Sequence, residues 1–445
     1  MLDPKLLRDS PDAVKHATQI KRVGSPELVD QWRAADDKRR AAQTLGDGLR
    51  AEQGKIGGQV GKLKGQLKGG TSPELEQLLA QAGELKAKYE QAVAQQTEAE
   101  TEAARIMLML PAIPDPSWPV GKDDRDNVLV REWTDPAHPK KAVGVDGVKD
   151  HVTLGTTLGI LDFERGVKIA GSRSYIVRGQ GALLYNAVLR YAQDVVVKRG
   201  YEPFVVPVLV TEQCMTGTGY FPAGRDQAYI TQDNSVLVGT SEVPLASFFG
   251  DEVLGENCMP KRLVATSTCF RREAGAAGKD TAGLYRVHQF DKVEQVIIHK
   301  ADDAEHIALH EEIIANAEAI LQGLKLPYRV VKNCTGDMGQ GKWRMYDIET
   351  WMPSRGEGKG GYGETHSGSA LRDFQARRLN LRYKATPAGG GKPTTQFCYT
   401  LNNTAIACPR VLIAILENYQ QADGSVTVPE VLRSYMGGLE RIASA

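Results

Sequence analysis

Two apolar stripes at helical spacing, separated by a single glycine break, restrict this chain more than anything else in it. Leu45, Leu49, Ile56, Val60, Leu63 and Leu67 recur three, four or seven residues apart, the seam of a coiled-coil helix. Gly69-Gly70 ends that pattern. Ser72-Pro73-Glu74 then supplies an N-cap, a proline at the first helical position and an acid in the first turn. Leu75, Leu78, Ala82, Leu85, Tyr89 and Ala92 resume the stripe. Two long helices joined so tightly make an antiparallel hairpin. At 1.5 Å per residue, about 35 to 40 residues extend roughly 50 to 60 Å.

Charge on this hairpin is uneven. No acid stands between Gln53 and Gly70, whereas Lys55, Lys62, Lys64 and Lys68 do; the return helix carries Glu74, Glu76, Glu84, Glu90, Glu98, Glu100 and Glu102. Two readings follow: lysines of one helix pairing with glutamates of the other for register, or a basic tip that grips phosphates. The first helix also contains Gly46, Gly48, Gly54, Gly57, Gly58, Gly61 and Gly65. Each costs up to about 1 kcal/mol of helix propensity against alanine, so a mobile arm is expected.

The expected organisation is a helical arm over 1–110, a proline-rich linker over 111–140 and a larger domain over 141–445. That domain alternates short β-branched runs with helical patterns. Segments such as Arg262–Ser267 and Val293–His299, and another from Gln396–Leu401 onward, suggest hairpins and an α+β fold with an antiparallel sheet. Lys+Arg and Asp+Glu each total 55, so any nucleic-acid contact must come from a local patch. The six cysteines show no C-x-x-C pair and no zinc-ligand spacing, which fits reduced thiols in a cytoplasmic protein without zinc. No apolar run approaches the ~20 residues needed to span a bilayer, so no membrane partner is expected.

Neither a Walker-type loop nor a G-x-G-x-x-G after a strand is present. The informative stretch is Thr266 to Val296, TSTCFRREAGAAGKDTAGLYRVHQFDKVEQV, which reads as strand, glycine-rich loop, strand. Arg271 and Glu273 close the first strand; Arg286, Phe290 and Glu294 fall at even spacing on one face of the second. Arginine spans phosphate oxygens, a phenyl face stacks on a purine, and a carboxylate accepts from an amine. A solvent-facing sheet with cross-strand ion pairs has the same composition.

The stretch resembles motif 2 of the class II aminoacyl-tRNA synthetases, and specifically the seryl family. Leu401 to Gln420 is similar to motif 3 and Gly181 to Pro207 to motif 1, with Leu184, Val188, Tyr191 and Val195 as one helical stripe. GTSEVPL (Gly239 to Leu245), TGDMG (Thr335 to Gly339), ETHSGSALRDFQARR (Glu364 to Arg378) and the hairpin extend the resemblance over essentially the whole chain.

The resemblance implies a class II antiparallel sheet flanked by helices behind a coiled-coil arm. It implies activation of L-serine by ATP with Mg²⁺, transfer to the 3′ end of tRNA(Ser) (with the selenocysteine tRNA as a second possible acceptor), and a homodimer built on motif 1. By the same comparison Arg271 would bind the α-phosphate, and Arg286 and Arg410 the β- and γ-phosphates. Phe290 would stack on adenine against Arg410, Glu273 would meet the adenine amine, and Glu364 with Ser367 would coordinate Mg²⁺. Arg271, Arg410 and Glu364 are thus the catalytic candidates. Glu294 would take the serine ammonium, with Thr240, Glu242 and Arg271 lining the pocket and Asn402 and Thr404 facing the hydroxyl. Lys55, Lys62, Lys64 and Lys68 become the candidate tRNA contacts. Gly368 stands where the family often has cysteine and is expected to be tolerated. An adenylating paralogue that loads a non-tRNA acceptor and a non-catalytic RNA-binding module are the alternatives; the second should have lost Arg271, Glu294, Glu364 or Arg410, all of which are present.

Overall fold

The computed structural model describes residues 1–275, 282–387 and 390–444. The chain divides into two compact units, Leu2–Pro111 and Ala112–Ala445, with Met1 belonging to the second.

In the first unit, helix α1 (Glu27–Leu67) and helix α2 (Pro73–Met107) pack along their length. The turn between them is built as its residues require. Lys68 and Gly69 take positive φ (46° and 99°), and the Ser72 hydroxyl caps α2 by accepting from the Leu75 N–H at 3.2 Å. The α2 stripe keeps out of full exposure at all six expected positions. On α1 the seam runs through Ala42, Gly46, Leu49, Ile56, Val60, Leu63 and Leu67, and Leu45 lies off it, 54% exposed. Gly46 takes the seam position opposite Tyr89, where an added Cβ would stand 4.0 Å from the ring, an ordinary contact. Lys55, Lys62, Lys64 and Lys68 are all exposed. Lys55 and Lys62, seven residues apart, share one flank of the seam; Lys64 and Lys68 occupy the other.

The second unit is organised on an eight-stranded sheet. Its strands are β1 (Val128–Trp133), β2 (Glu202–Phe204), β3 (Lys261–Phe270), β4 (Gln289–His299), β5 (Tyr328–Lys332), β6 (Arg344–Met352), β7 (Gly361–Arg372) and β8 (Tyr399–Cys408), in the order β1-β5-β6-β7-β8-β4-β3-β2. Every pairing is antiparallel except β2 with β3. Helices α3 (Gln180–Lys198) and α4 (Asp303–Gly323) pack on one face, where Val264, Val293, Ile297, Leu401 and Ala405 join the main core. The other face carries Leu263, Ala265, Val296 and Ile298 in a second cluster with Leu245, Ala376 and Leu379. Helix α5 (Arg410–Tyr419) follows β8. Among the described residues, no helix is long and apolar enough to cross a membrane.

Two expectations change. Residues 128–133, inside the stretch read as linker, form the edge strand β1; its first three residues, Val128, Leu129 and Val130, are all exposed, so no alternation marks its start. The segment from Gln396 onward is not one hairpin arm. Thr394–Phe397 pairs with Arg382–Ala385 in a small separate sheet, and the chain enters the central sheet only at Tyr399.

At Gly54, Gly58, Gly61 and Gly65 an added Cβ meets nothing within 4 Å. Replacing all four by alanine is expected to stabilise the distal half of α1, at roughly 0.5 to 1 kcal/mol per site. Amide exchange over residues 50–68 should slow by about tenfold or more; unchanged exchange would show that glycine does not limit that helix.

Candidate active site

The antiparallel pairing of β3, β4 and β8 brings the polar residues together. The residues at even positions of β4, Phe290, Lys292 and Glu294, point to the face away from α3 and α4. Glu294 lies directly opposite Thr404 of β8, whose hydroxyl donates to Glu294 Oε2 at 3.2 Å. A cleft opens on this face, lined by Arg271, Glu273, Arg286, Phe290, Glu364, Ser367, Thr404 and Arg410, with Tyr285, Lys292 and His366 among the others. Eight residues singled out from the sequence therefore share one cavity.

At the inner end Lys292 and Thr404 line the cleft, and Glu294, Thr240, Glu242 and Asn402 are buried nearby, outside its lining. Lys292, 5% exposed, reaches Glu294 Oε2 at 2.6 Å and donates to Thr240 Oγ1 at 2.8 Å. Glu242 accepts three hydrogen bonds: from Gln375 Nε2 and Asn402 Nδ2 at 2.7 Å each, and from the Tyr220 hydroxyl at 2.6 Å. Gln375 is fixed in turn by Thr400, at 2.8 Å. The Ser241 and Ser267 hydroxyls, 2.6 Å apart, tie the loop of Thr240 and Glu242 to β3. Burial pushes the Glu294 carboxyl above the usual range; Lys292 opposes that shift and Glu242 adds to it.

Two of the three arginines in the outer half form ion pairs within the protein. Arg286 pairs with Glu273 at 2.7 Å and Arg410 with Glu364 at 3.2 Å. The Arg271 guanidinium lies 5.2 Å from the Phe290 ring centre, and Arg410 lies 4.4 Å from that of Tyr285. Below Ser367, Asp347 of β6 is buried; burial first, and then Glu364, push its carboxyl well above the carboxylate range, against hydrogen bonding from Asn333 and Ser367. Among the described residues, no group of three or more His, Cys, Asp or Glu could by itself hold a metal ion.

Several placements differ from the sequence reading. Arg286 precedes β4 rather than sitting on it, because strand pairing begins only at Gln289 opposite Phe270. Arg271 and Glu273 follow β3, and Glu273 takes a positive φ of 53°. Asn402 directs its amide to Glu242, leaving Thr404 as the hydroxyl-bearing neighbour of Glu294. At Gly368 an added Cβ would come within 2.4 Å of Ile314 Cδ1, so a larger residue there requires that side chain to move. Lys292, Tyr220, Gln375 and Tyr285 were not singled out in the sequence; only the even spacing of Lys292 between Phe290 and Glu294 signalled one of them. Residues 276–281 of the glycine-rich loop lie outside the described residues.

The profile "tRNA synthetase class II core domain (G, H, P, S and T)" matches residues 229–419, and "Seryl-tRNA synthetase N-terminal domain" matches residues 1–114. A serine–tRNA ligase of Deinococcus radiodurans is 41% identical over 443 residues, covering 99% of this chain and 98% of the relative. The chain belongs to the seryl-tRNA synthetase family. Solved seryl-tRNA synthetases agree over the full length. The Pyrococcus horikoshii enzyme complexed with ATP has a TM-score of 0.88 at 36% identity, covering 100% of both chains. The cytoplasmic serine–tRNA ligase of Naegleria fowleri in complex with AMP has a TM-score of 0.86 at 29% identity, covering 100% of this chain and 99% of its own. Within the seryl-tRNA synthetase family, then, this chain has the class II sheet and the N-terminal helical hairpin.

Proposed function

We propose that this chain is a cytoplasmic serine–tRNA ligase. It activates L-serine with ATP to seryl-adenylate and passes the seryl group to the 3′ end of tRNA(Ser). The observation that carries the reading is the buried constellation of Thr240, Lys292, Glu294 and Thr404, of which Lys292 and Thr404 line the same cleft as Arg271, Glu273, Arg286, Phe290 and Arg410.

Two carboxylates and one lysine at the inner end leave room for one more positive charge. In this reading the serine ammonium supplies it, against Glu294 and Thr240, and Thr404 meets the side-chain hydroxyl. A pocket of committed hydrogen-bonding groups rejects alanine because those groups would be left unpaired. Glu242, tied by three donors, serves as a rigid wall beside that pocket, and Asn402 acts by holding Glu242. The serine carboxylate then lies at the mouth, where it attacks the α-phosphorus and pyrophosphate leaves. Arg271 faces the charge that develops on the α-phosphate, and preorganised positive charge of this kind typically contributes a few kcal/mol. Phe290 offers its face to adenine and Glu273 its carboxylate to the adenine amine, releasing Arg286 for phosphate; Arg410 exchanges Glu364 for phosphate in the same way. Much of the rate enhancement is positioning.

Glu364 and Ser367 suit a hard cation that prefers oxygen donors, and a buried Asp347 oxygen with no hydrogen-bond partner, across the ladder from Ser367, supports that fit. Mg²⁺ held there would offset phosphate charge. The arm is read as the tRNA-binding element, with Lys55, Lys62, Lys64 and Lys68 reaching phosphates from both flanks of the seam. A homodimer accounts for the apolar side chains left exposed on and around the motif 1 segment, among them Ile169, Leu183 and Val205.

The test is ATP–pyrophosphate exchange with each amino acid, followed by addition of total tRNA. Exchange should depend on serine, charging should follow, and Arg271→Ala should lower exchange by about 10²- to 10³-fold. Exchange without charging would favour the adenylating paralogue, and no exchange at all would defeat the active-site reading.

The Glu294–Lys292 pair gives a pH prediction. Only ionised Glu294 binds an ammonium, so serine kcat/KM falls as pH drops through the Glu294 pKa. Lys292 holds that pKa down against burial and Glu242. Lys292→Met should therefore move the acid limb of the serine profile to higher pH and leave the ATP KM unchanged; an unmoved limb would remove Lys292 from this role.

A further inference from the structure

Resting on the cation reading above, we propose that Asp347 is a third protein oxygen donor to the divalent cation that accompanies ATP, acting through Oδ1 directly or through one bound water. Asp347 on β6 lies directly opposite Ser367 on β7, so the two side chains leave the same face of the sheet. Ser367 and Glu364 line the cleft, and Asp347 stands just beneath them, 8% exposed.

One Asp347 oxygen is accounted for: Oδ2 accepts from Asn333 Nδ2 at 2.7 Å. That same amide group also donates to Asp337 Oδ2, at 2.9 Å. The other oxygen, Oδ1, is buried and has no partner within hydrogen-bond distance, although the Ser367 hydroxyl across the ladder is near enough to favour the ionised carboxyl; the buried Oδ1 of Asn333 has no partner either. Asp347 forms no ion pair with any described residue, and the charges that act on it most are those of Glu364 and Asp337, both of its own sign. A buried carboxylate facing like charges is costly unless it takes up a proton or a cation joins it. Asp347, Glu364 and Ser367 all offer oxygen, which suits a hard divalent ion over a soft one. The protein supplies too few acids to hold such an ion alone. Asp347 thus adds its oxygen to those of Glu364, Ser367 and the nucleotide phosphates, and an ion arriving with nucleotide completes the set.

The experiment is electron paramagnetic resonance titration of Mn²⁺ into the full-length protein saturated with α,β-methylene-ATP, which cannot be cleaved at the reacting bond. Wild type, Asp347→Asn and Glu364→Gln are compared, with thermal unfolding as a control. Asp347→Asn is expected to weaken Mn²⁺ by roughly 10- to 100-fold, as loss of a supporting ligand does elsewhere, and Glu364→Gln at least as much. If Glu364→Gln weakens Mn²⁺ and Asp347→Asn binds as wild type does, the Asp347 assignment fails and the cation reading stands. If neither variant weakens Mn²⁺, the cation reading itself fails. Should Asp347→Asn not fold, the wild type crystallised with Mn²⁺ and the analogue decides. An anomalous peak touching Asp347 Oδ1 or sharing a water with it supports the inference, and a peak reached only by Glu364, Ser367 and phosphate overturns it.

Discussion

The site depends first on the register of β4 against β3 and β8. Side chains alternate along a strand, so one residue of slip would send Phe290, Lys292 and Glu294 into the core under α3 and α4 and bring Val293 and Ile297 out to the cleft. Val264, Val293, Ile297 and Leu401 are fully buried on the helix-covered face, and that burial fixes which residues face the ligand. The hydrophobic core thus places the polar chemistry. A small irregularity between Val293 and Glu294 in the β4–β8 ladder then sets Glu294 against Thr404.

Charge is arranged differently at the two ends of the cleft. At the inner end Lys292 pairs with Glu294, while Glu242 accepts from Gln375, itself held by Thr400, and the Ser241–Ser267 contact fixes the loop that carries Glu242. Such a network resists rearrangement and suits discrimination between small amino acids. At the outer end Glu273–Arg286 and Glu364–Arg410 pair in a more open setting, and Arg410 is also held by the Tyr285 and Glu364 carbonyls. Those pairs keep both guanidinium groups compensated until phosphate and cation replace their partners. An end that selects and an end that exchanges partners fits a reaction whose second substrate, ATP, brings its own charge and counter-ion.

Much of this was legible in the sequence, for identifiable reasons. The hairpin announced itself because the Gly69-Gly70 break and the Ser72 cap are local signals; the seam was read one residue off at Leu45 because a glycine opposite Tyr89 looks polar to any periodicity. Residues with charge or aromatic character on the motif 2 strands were recognisable from type and spacing. Their partners were not. Nothing local marks Gln375 or Tyr220 as donors to Glu242, since each comes from more than 20 residues away in the chain. Asp347 reads as one acid in an ordinary strand until pairing sets it beside Ser367. The edge strand Val128–Trp133 was missed because its first three residues, all exposed, give no alternation to detect.

The central claim is that the inner end holds the amino acid and the outer end the nucleotide. A crystal structure with a non-hydrolysable acyl-sulfamate analogue of seryl-adenylate tests it most directly. The account predicts the ammonium at Glu294 and Thr240, the hydroxyl at Thr404, the sulfamate at Arg271 and the adenine on Phe290, with Arg286 released from Glu273. An analogue bound elsewhere, or seated in the cleft with its amino acid away from Glu294 and the Glu273–Arg286 pair intact, would contradict it.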